Sequence, residues 1–197
     1  PSALVATNAT GTASGLTAGN ATTLATARNI AGAYVQEPVP GAYQWVESFD
    51  ATSLYPSILM QYNMSPETLI EGGTYDVTVD GMIANEYTFD TDDAVAANGQ
   101  TFTRKKQGLF PNIVQKFFDD RQRYKKLMKE SEQLLEDTKD PKYKNEIAKY
   151  NNFQMARKIQ LNSLYGAMAN EYFRFFDTRI AEGITLSGQV IIRETAI

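Results

Sequence analysis

The chain has 197 residues, a composition ordinary for a globular protein and a formal net charge of −4. It contains no cysteine and no histidine, which excludes disulfides, thiolate nucleophiles, Ser-His-Asp triads and most transition-metal sites. Chemistry is left to carboxylates, Lys, Arg, Tyr and hard cations bound through oxygen. No run is apolar for long enough to span a membrane and no signal-peptide pattern opens the chain, so a cytoplasmic protein without membrane contact is expected.

Residues 1–33 hold 10 Ala, 7 Thr and 4 Gly with Arg28 as the single charge, a low-complexity segment expected to be flexible. Pro38, Pro40 and Gly41 then punctuate a turn. The aromatic and β-branched run Tyr43–Phe49 predicts a strand ending at Asp50. A tight turn leads into a short helix over about 55–63, with Pro56 in its first turn, where a missing N–H costs nothing. A carboxylate at a strand end beside a helix N-terminus can hold Mg²⁺ and a polyphosphate together.

Ser65-Pro66-Glu67 reads as a further helix start, with Ser as cap and Pro at the first position. Residues 71–103 carry seven acids and no basic residue. Within them Tyr75, Val77 and Val79 alternate with polar residues and Asp80-Gly81 can close a hairpin, so a small β excursion is expected.

Apolar positions from Ile113 to Leu135 recur at helical spacing and predict a helix over 112–138. Lys139-Asp140-Pro141 breaks it and opens a second helix reaching about 168. So short a break implies an antiparallel hairpin roughly 40 Å long. Residues 104–158 hold 15 of the 19 Lys and Arg against 8 acids, while the remainder is acidic. A basic element in an acidic chain points to a polyanion met by that element, or to a pair of solvated surface helices.

On the second helix Lys158, Asn162 and Tyr165 are spaced i, i+4, i+7 and share a face suited to phosphate, sugar and base. On the first, Arg121 and Lys125 stand four apart, and the hairpin can turn them towards Lys158. An Arg fork with mobile Lys charges suits a triphosphate.

At these residues the chain resembles a known family. Asp50-x-x-Ser-Leu-Tyr-Pro-Ser-Ile resembles motif A of the family B DNA polymerases, and Lys158-x-x-x-Asn-Ser-Leu-Tyr-Gly resembles their motif B. The wording around them, Gly32-Ala-Tyr-Val-Gln-Glu-Pro and Tyr62-Asn-Met-Ser-Pro-Glu-Thr, is similar to the replicative polymerases of T-even-type bacteriophages. The resemblance implies an α+β fragment: a palm segment at 34–103 with a β-strand and short helices, a fingers hairpin of long antiparallel helices at 104–169, and a return to the palm at 170–197.

It also implies roles. Asp50 would be the catalytic carboxylate binding two Mg²⁺ ions, with the Ala51 carbonyl beside it. The amides of Ser53, Leu54 and Tyr55 would cradle the β- and γ-phosphates, and the Tyr55 ring would pack under the deoxyribose. Arg121, Lys125 and Lys158 would grip the triphosphate, with Asn162 near the incoming nucleotide. Tyr165 and Gly166 would lie against the nascent base pair. Implied partners are primer–template DNA, deoxynucleoside triphosphates, the remainder of the polymerase and, as a further candidate, a sliding clamp, in the cytoplasm of an infected host.

The family's Asp-Thr-Asp hairpin, its motif C, is not found in the chain, nor is any stretch resembling the proofreading exonuclease. A partial chain that is inactive alone is therefore expected. The alternative is a non-catalytic nucleic-acid-binding or split-polymerase subunit acting through the basic hairpin.

Overall fold

The fold is built around a short helix, α1 (Leu54–Gln61), whose Pro56, Ile58 and Leu59 are buried. In this computed structural model residues 32–47 and 50–195 are described. Among them α1 is followed by β1 (Leu69–Thr74), α2 (Val79–Ile83), β2 (Ala94–Val95), β3 (Gln100–Phe102), α3 (Leu109–Thr138), α4 (Lys142–Met168) and α5 (Thr178–Thr195). The mixture of helices with a small antiparallel sheet is the α+β class expected.

The three strands run antiparallel in the order β1-β3-β2, with Leu69 opposite Phe102, Ala94 opposite Phe102, and Val95 opposite Thr101. Gly99 turns β2 back into β3 at φ 78, with its N–H on the Ala96 carbonyl at 2.8 Å. A Cβ there would lie 1.9 Å from the Tyr75 carbonyl oxygen, so only glycine fits both the backbone angle and the space.

The core joins α1, the sheet, the base of the α3–α4 pair and α5 through Ile58, Leu59, Met64, Phe102, Phe110, Val114, Leu161, Met168, Ile180 and Ile184. Beyond Val114 the only residue of α3 that is buried is Ser131. The far part of the hairpin is therefore an arm held by its own seam, as its charge content requires. Lys139, at φ 56, ends α3, and Asp140 accepts from the Lys142 amide at 3.0 Å to start α4.

Three local expectations are corrected. Residues 43–47 and Asp50 form no strand, and Trp45 stands 98% exposed at φ 59. A strand persists only where a neighbour pairs with its backbone, and among the described residues none lies alongside this run. Ser48 and Phe49 lie outside the described residues, as do residues 1–31 of the low-complexity segment.

Ser65-Pro66-Glu67 forms a turn into β1 and not a helix. Its side chains cap a different helix: the Phe110 amide donates to Ser65 Oγ at 3.4 Å, and the Leu109 amide donates to Glu67 Oε1. Asp80-Gly81 closes no hairpin. Thr78 accepts from the Gly81 amide at 3.1 Å and starts α2 in its place, so a local side-chain cap outcompetes the ladder.

Candidate functional site

Asp50 is exposed, and the chain after it turns sharply. Ser53 adopts the left-handed region (φ 54, ψ 57) and precedes α1 without giving it a side-chain cap. Its carbonyl accepts from the Ser57 amide at 2.9 Å, and the Ser57 hydroxyl donates to the Thr52 carbonyl at 3.1 Å. Among the described residues the first-turn amides of Leu54 and Tyr55 have no side-chain acceptor, at the positive end of the helix dipole. Left-handed backbone at a non-glycine residue is strain of the kind that concentrates at functional sites.

The Tyr55 ring joins this turn to α4. Its centroid lies 4.7 Å from that of Tyr165, with the planes at 41°. Gly188 of α5 closes the third side, since a Cβ there would lie 3.1 Å from Tyr55 Cε1. Burial raises the pKa of both phenols, that of Tyr165 to about 12 with Tyr55 adding to the effect. Both rings are therefore neutral at physiological pH.

Three contacts set the hairpin's register. Ser131 meets Glu146 at 3.3 Å, Tyr124 packs on Phe153 with centroids 5.2 Å apart, and Asp120 pairs with Arg157 at 3.0 Å. Each step along α3 is matched by an equal step back along α4, so Lys158 stands level with Asp119. At about 1.5 Å per residue, Arg121 is then roughly 3 Å and Lys125 roughly 9 Å further along the arm.

Arg121 and Lys125 each follow a seam residue by one position, as Lys158 follows Arg157 and Asn162 follows Leu161. In two antiparallel right-handed helices the residue one past the seam falls on the same side of the pair in both. Arg121, Lys125, Lys158 and Asn162 are therefore brought to one side of the hairpin.

None of the three cations takes part in an ion pair among the described residues. Arg121 Nε is buried with no hydrogen-bond partner in the fold, a donor in want of an acceptor. Gly166 is exposed, and a Cβ there would meet nothing within 4 Å.

No three acidic side chains converge as a metal site among the described residues. Asp50 and the Ala51 carbonyl are oxygen donors of the hard type that Mg²⁺ takes, but adjacent residues alone do not complete an octahedral site, still less two. No helix among the described residues is long and apolar enough to cross a membrane.

Sequence reasoning missed the residues that hold these in place. Asn63 pins the root of α3: its Nδ2 donates to the Thr103 and Lys106 carbonyls at 2.6 and 2.8 Å, and its Oδ1 accepts from the Gly108 amide at 2.8 Å. Burial pushes the Glu67 carboxyl up, but hydrogen bonds from Ser65 and the Leu109 amide, with Lys106 nearby, outweigh it and hold the pKa below the ordinary value. The available signal was an Asn just past a short helix, in Asn63-Met64-Ser65, since Asn is among the residues that most readily take the left-handed angle it adopts here, φ 54.

Comparison with known proteins places the chain in a family. Residues 7–197 match the model of DNA polymerase family B. The DNA-directed DNA polymerase of Enterobacteria phage T4 is 33% identical over 82% of this chain and 23% of its own length. That of Escherichia phage RB69 is 32% identical over 82% of this chain and 22% of its own length. DNA polymerase 1 of Pyrococcus abyssi is 33% identical over 82% of this chain and 18% of its own length. The chain thus spans less than a quarter of each of these relatives.

Among solved structures, the family B DNA polymerase of the hyperthermophilic archaeon Pyrobaculum calidifontis shares the fold. Its TM-score is 0.54 at 23% identity, over 73% of this chain and 16% of that one. With the family model matched along nearly the whole chain, this protein belongs to DNA polymerase family B.

Proposed function

We propose that the chain is the nucleotide-binding part of a DNA-directed DNA polymerase that adds deoxynucleotides to a primer 3′ end on a DNA template, in phage DNA replication in the host cytoplasm. The observation that carries this is the 4.7 Å contact between Tyr55 and Tyr165, which supports reading the two motifs as parts of one site.

In this reading the uncapped amides of Leu54 and Tyr55, with Ser53 before them, receive the β- and γ-phosphates. Arg121, Lys125 and Lys158 meet the same triphosphate from the hairpin side, and the unpartnered Arg121 Nε gains its acceptor there. Asn162 lies nearest the sugar and base. The neutral Tyr55 ring, backed by Tyr165 and α5, is a fixed wall under the deoxyribose. Tyr165 and the bare surface at Gly166 face the nascent base pair and test its shape.

Asp50 and the Ala51 carbonyl donate to Mg²⁺ ions whose site the remainder of the polymerase completes. Ions held there would supply Lewis-acid activation of the attacking hydroxyl and charge stabilisation of the departing pyrophosphate, with Asp50 and the Ala51 carbonyl as their oxygen ligands from this chain. Primer–template DNA and a sliding clamp are partners of that complete enzyme.

The test is made in the complete polymerase carrying this chain. Asp50→Ala is expected to abolish incorporation while primer–template affinity stays within about threefold, and Tyr55→Val to admit ribonucleotides. Incorporation at the wild-type rate by the Asp50→Ala enzyme refutes the reading and leaves a non-catalytic module that binds nucleic acid through its basic hairpin.

A further inference from the structure

Arg157 is the one cation of the stretch 157–166 besides Lys158, and it is already occupied. Its Nε donates to Asp120 Oδ2 at 3.1 Å, its Nη2 lies 3.0 Å from the same oxygen as an ion pair, and its Nη1 donates to Gln160 Oε1 at 2.7 Å. Its guanidinium carbon lies 4.9 Å from the centre of the Phe117 ring. The two side chains of the pair are 27% and 25% exposed; no other ion pair among the described residues has both partners so sheltered. It is also the one ion pair among the described residues that joins α3 to α4.

Its position in sequence gives it a consequence. Asp120 immediately precedes Arg121, and Arg157 immediately precedes Lys158. Successive helical residues turn by about 100° and rise by about 1.5 Å, so clamping 120 to 157 fixes the separation and facing of Arg121 and Lys158. The neighbouring seam contact, Tyr124 on Phe153, is apolar and fixes register less sharply than a hydrogen-bonded, ring-stacked ion pair does.

We propose that Asp120 and Arg157 form a positioning pair that locks the height and roll of α3 against α4, so that Arg121 and Lys158 close on one triphosphate at a fixed spacing. The proposal rests on the triphosphate reading of the hairpin given above. Asp120 also keeps Arg157 from competing as a fourth cation for the same anion.

The experiment measures single-nucleotide incorporation by the complete polymerase carrying this chain, with Asp120→Asn, Arg157→Gln, the double variant, Arg157→Lys, and Arg121→Ala as benchmark. Each single change of the pair is expected to raise the nucleotide KM about tenfold while kcat falls less than threefold. The double variant is expected to be no worse than the poorer single one, because one interaction is lost in all three. Arg157→Lys, which keeps the charge but loses the fork and the stacking, is expected to raise KM about threefold.

If Arg121→Ala raises KM and the pair variants do not, the pair is only structural and the proposal is overturned. If Arg121→Ala itself leaves KM unchanged, the triphosphate reading fails and takes this one with it. Should Arg157→Gln not fold, Arg157→Lys and Asp120→Asn decide by the same KM-against-kcat split.

Discussion

Replacing Asn63 by alanine tests whether the root of the hairpin is held by one side chain. Asn63 is 8% exposed, and its amide group makes three hydrogen bonds across some forty or more residues of sequence, to Thr103, Lys106 and Gly108. Alanine removes all three at once. The Thr103 and Lys106 carbonyls lie near the surface and can rehydrate, but the Gly108 amide is buried, and an orphaned buried donor costs about 1–3 kcal/mol.

Alanine also takes the left-handed backbone angle worse than Asn, by about 1 kcal/mol. Together these come to about 3 kcal/mol, or roughly a hundredfold change in an opening equilibrium at about 1.4 kcal/mol per decade. Native-state amide exchange read at Gly108 and at the first turn of α3 is the assay. The Asn63→Ala polymerase is expected to exchange there about a hundredfold faster. Asn63→Gly, which takes the same angle without strain, is expected to exchange roughly five- to tenfold more slowly than Asn63→Ala. Exchange within threefold of wild type in both variants refutes the argument, because it means that Glu67 and Ser65 hold the root without Asn63.

Two further expectations concern pH. Since the folded pKa of Glu67 is depressed, its contribution is present above the ordinary glutamate value and is lost as pH falls through the folded one. Exchange at the first turn of α3 is therefore expected to quicken on acidification below the ordinary glutamate range, and Glu67→Gln to abolish that dependence; an unchanged acid response in the variant counts against it. Tyr165 works in the opposite direction: its phenol, pushed up to about 12, stabilises the fold fully below the ordinary tyrosine value near 10 and progressively less up to about 12. Phenolate absorbance is expected to show a late-titrating tyrosine that disappears in Tyr165→Phe, and a wild-type titration with no such step refutes the buried ring pair.

What was legible in the fold was whatever local patterning decides. The break at Lys139-Asp140-Pro141 and the helices on either side follow from spacing and cap chemistry, and both helices ended within a residue or so of the expected positions. The failures share a cause. Tyr43–Val46 has strand-like residues but no pairing strand among the described residues, and Ser65 and Glu67 are cap-like residues whose helix begins at Leu109, more than forty positions away. Whether a strand finds a ladder or a cap finds its helix is settled by tertiary placement, which composition and spacing within a short window do not contain.

The site divides along the same line. The sharing of a face by Lys158, Asn162 and Tyr165, and the spacing of Arg121 and Lys125, could be read from the sequence because helical geometry repeats along a whole arm. What the sequence left open was the register itself, and that is set by residues with no motif: Asp120 against Arg157, Tyr124 against Phe153, Ser131 against Glu146. Asp120 next to Arg121 looks, on paper, like a partner for it. In the fold Asp120 reaches across to Arg157 and leaves the Arg121 Nε without an acceptor. The sheltered carboxylate of the hairpin is thus committed to Arg157 and not to Arg121, so the proposed triphosphate grip starts from cations that no carboxylate among the described residues pairs. That placement favours the proposed nucleotide-gripping arm over a pair of merely solvated helices, which charge counting alone does not distinguish.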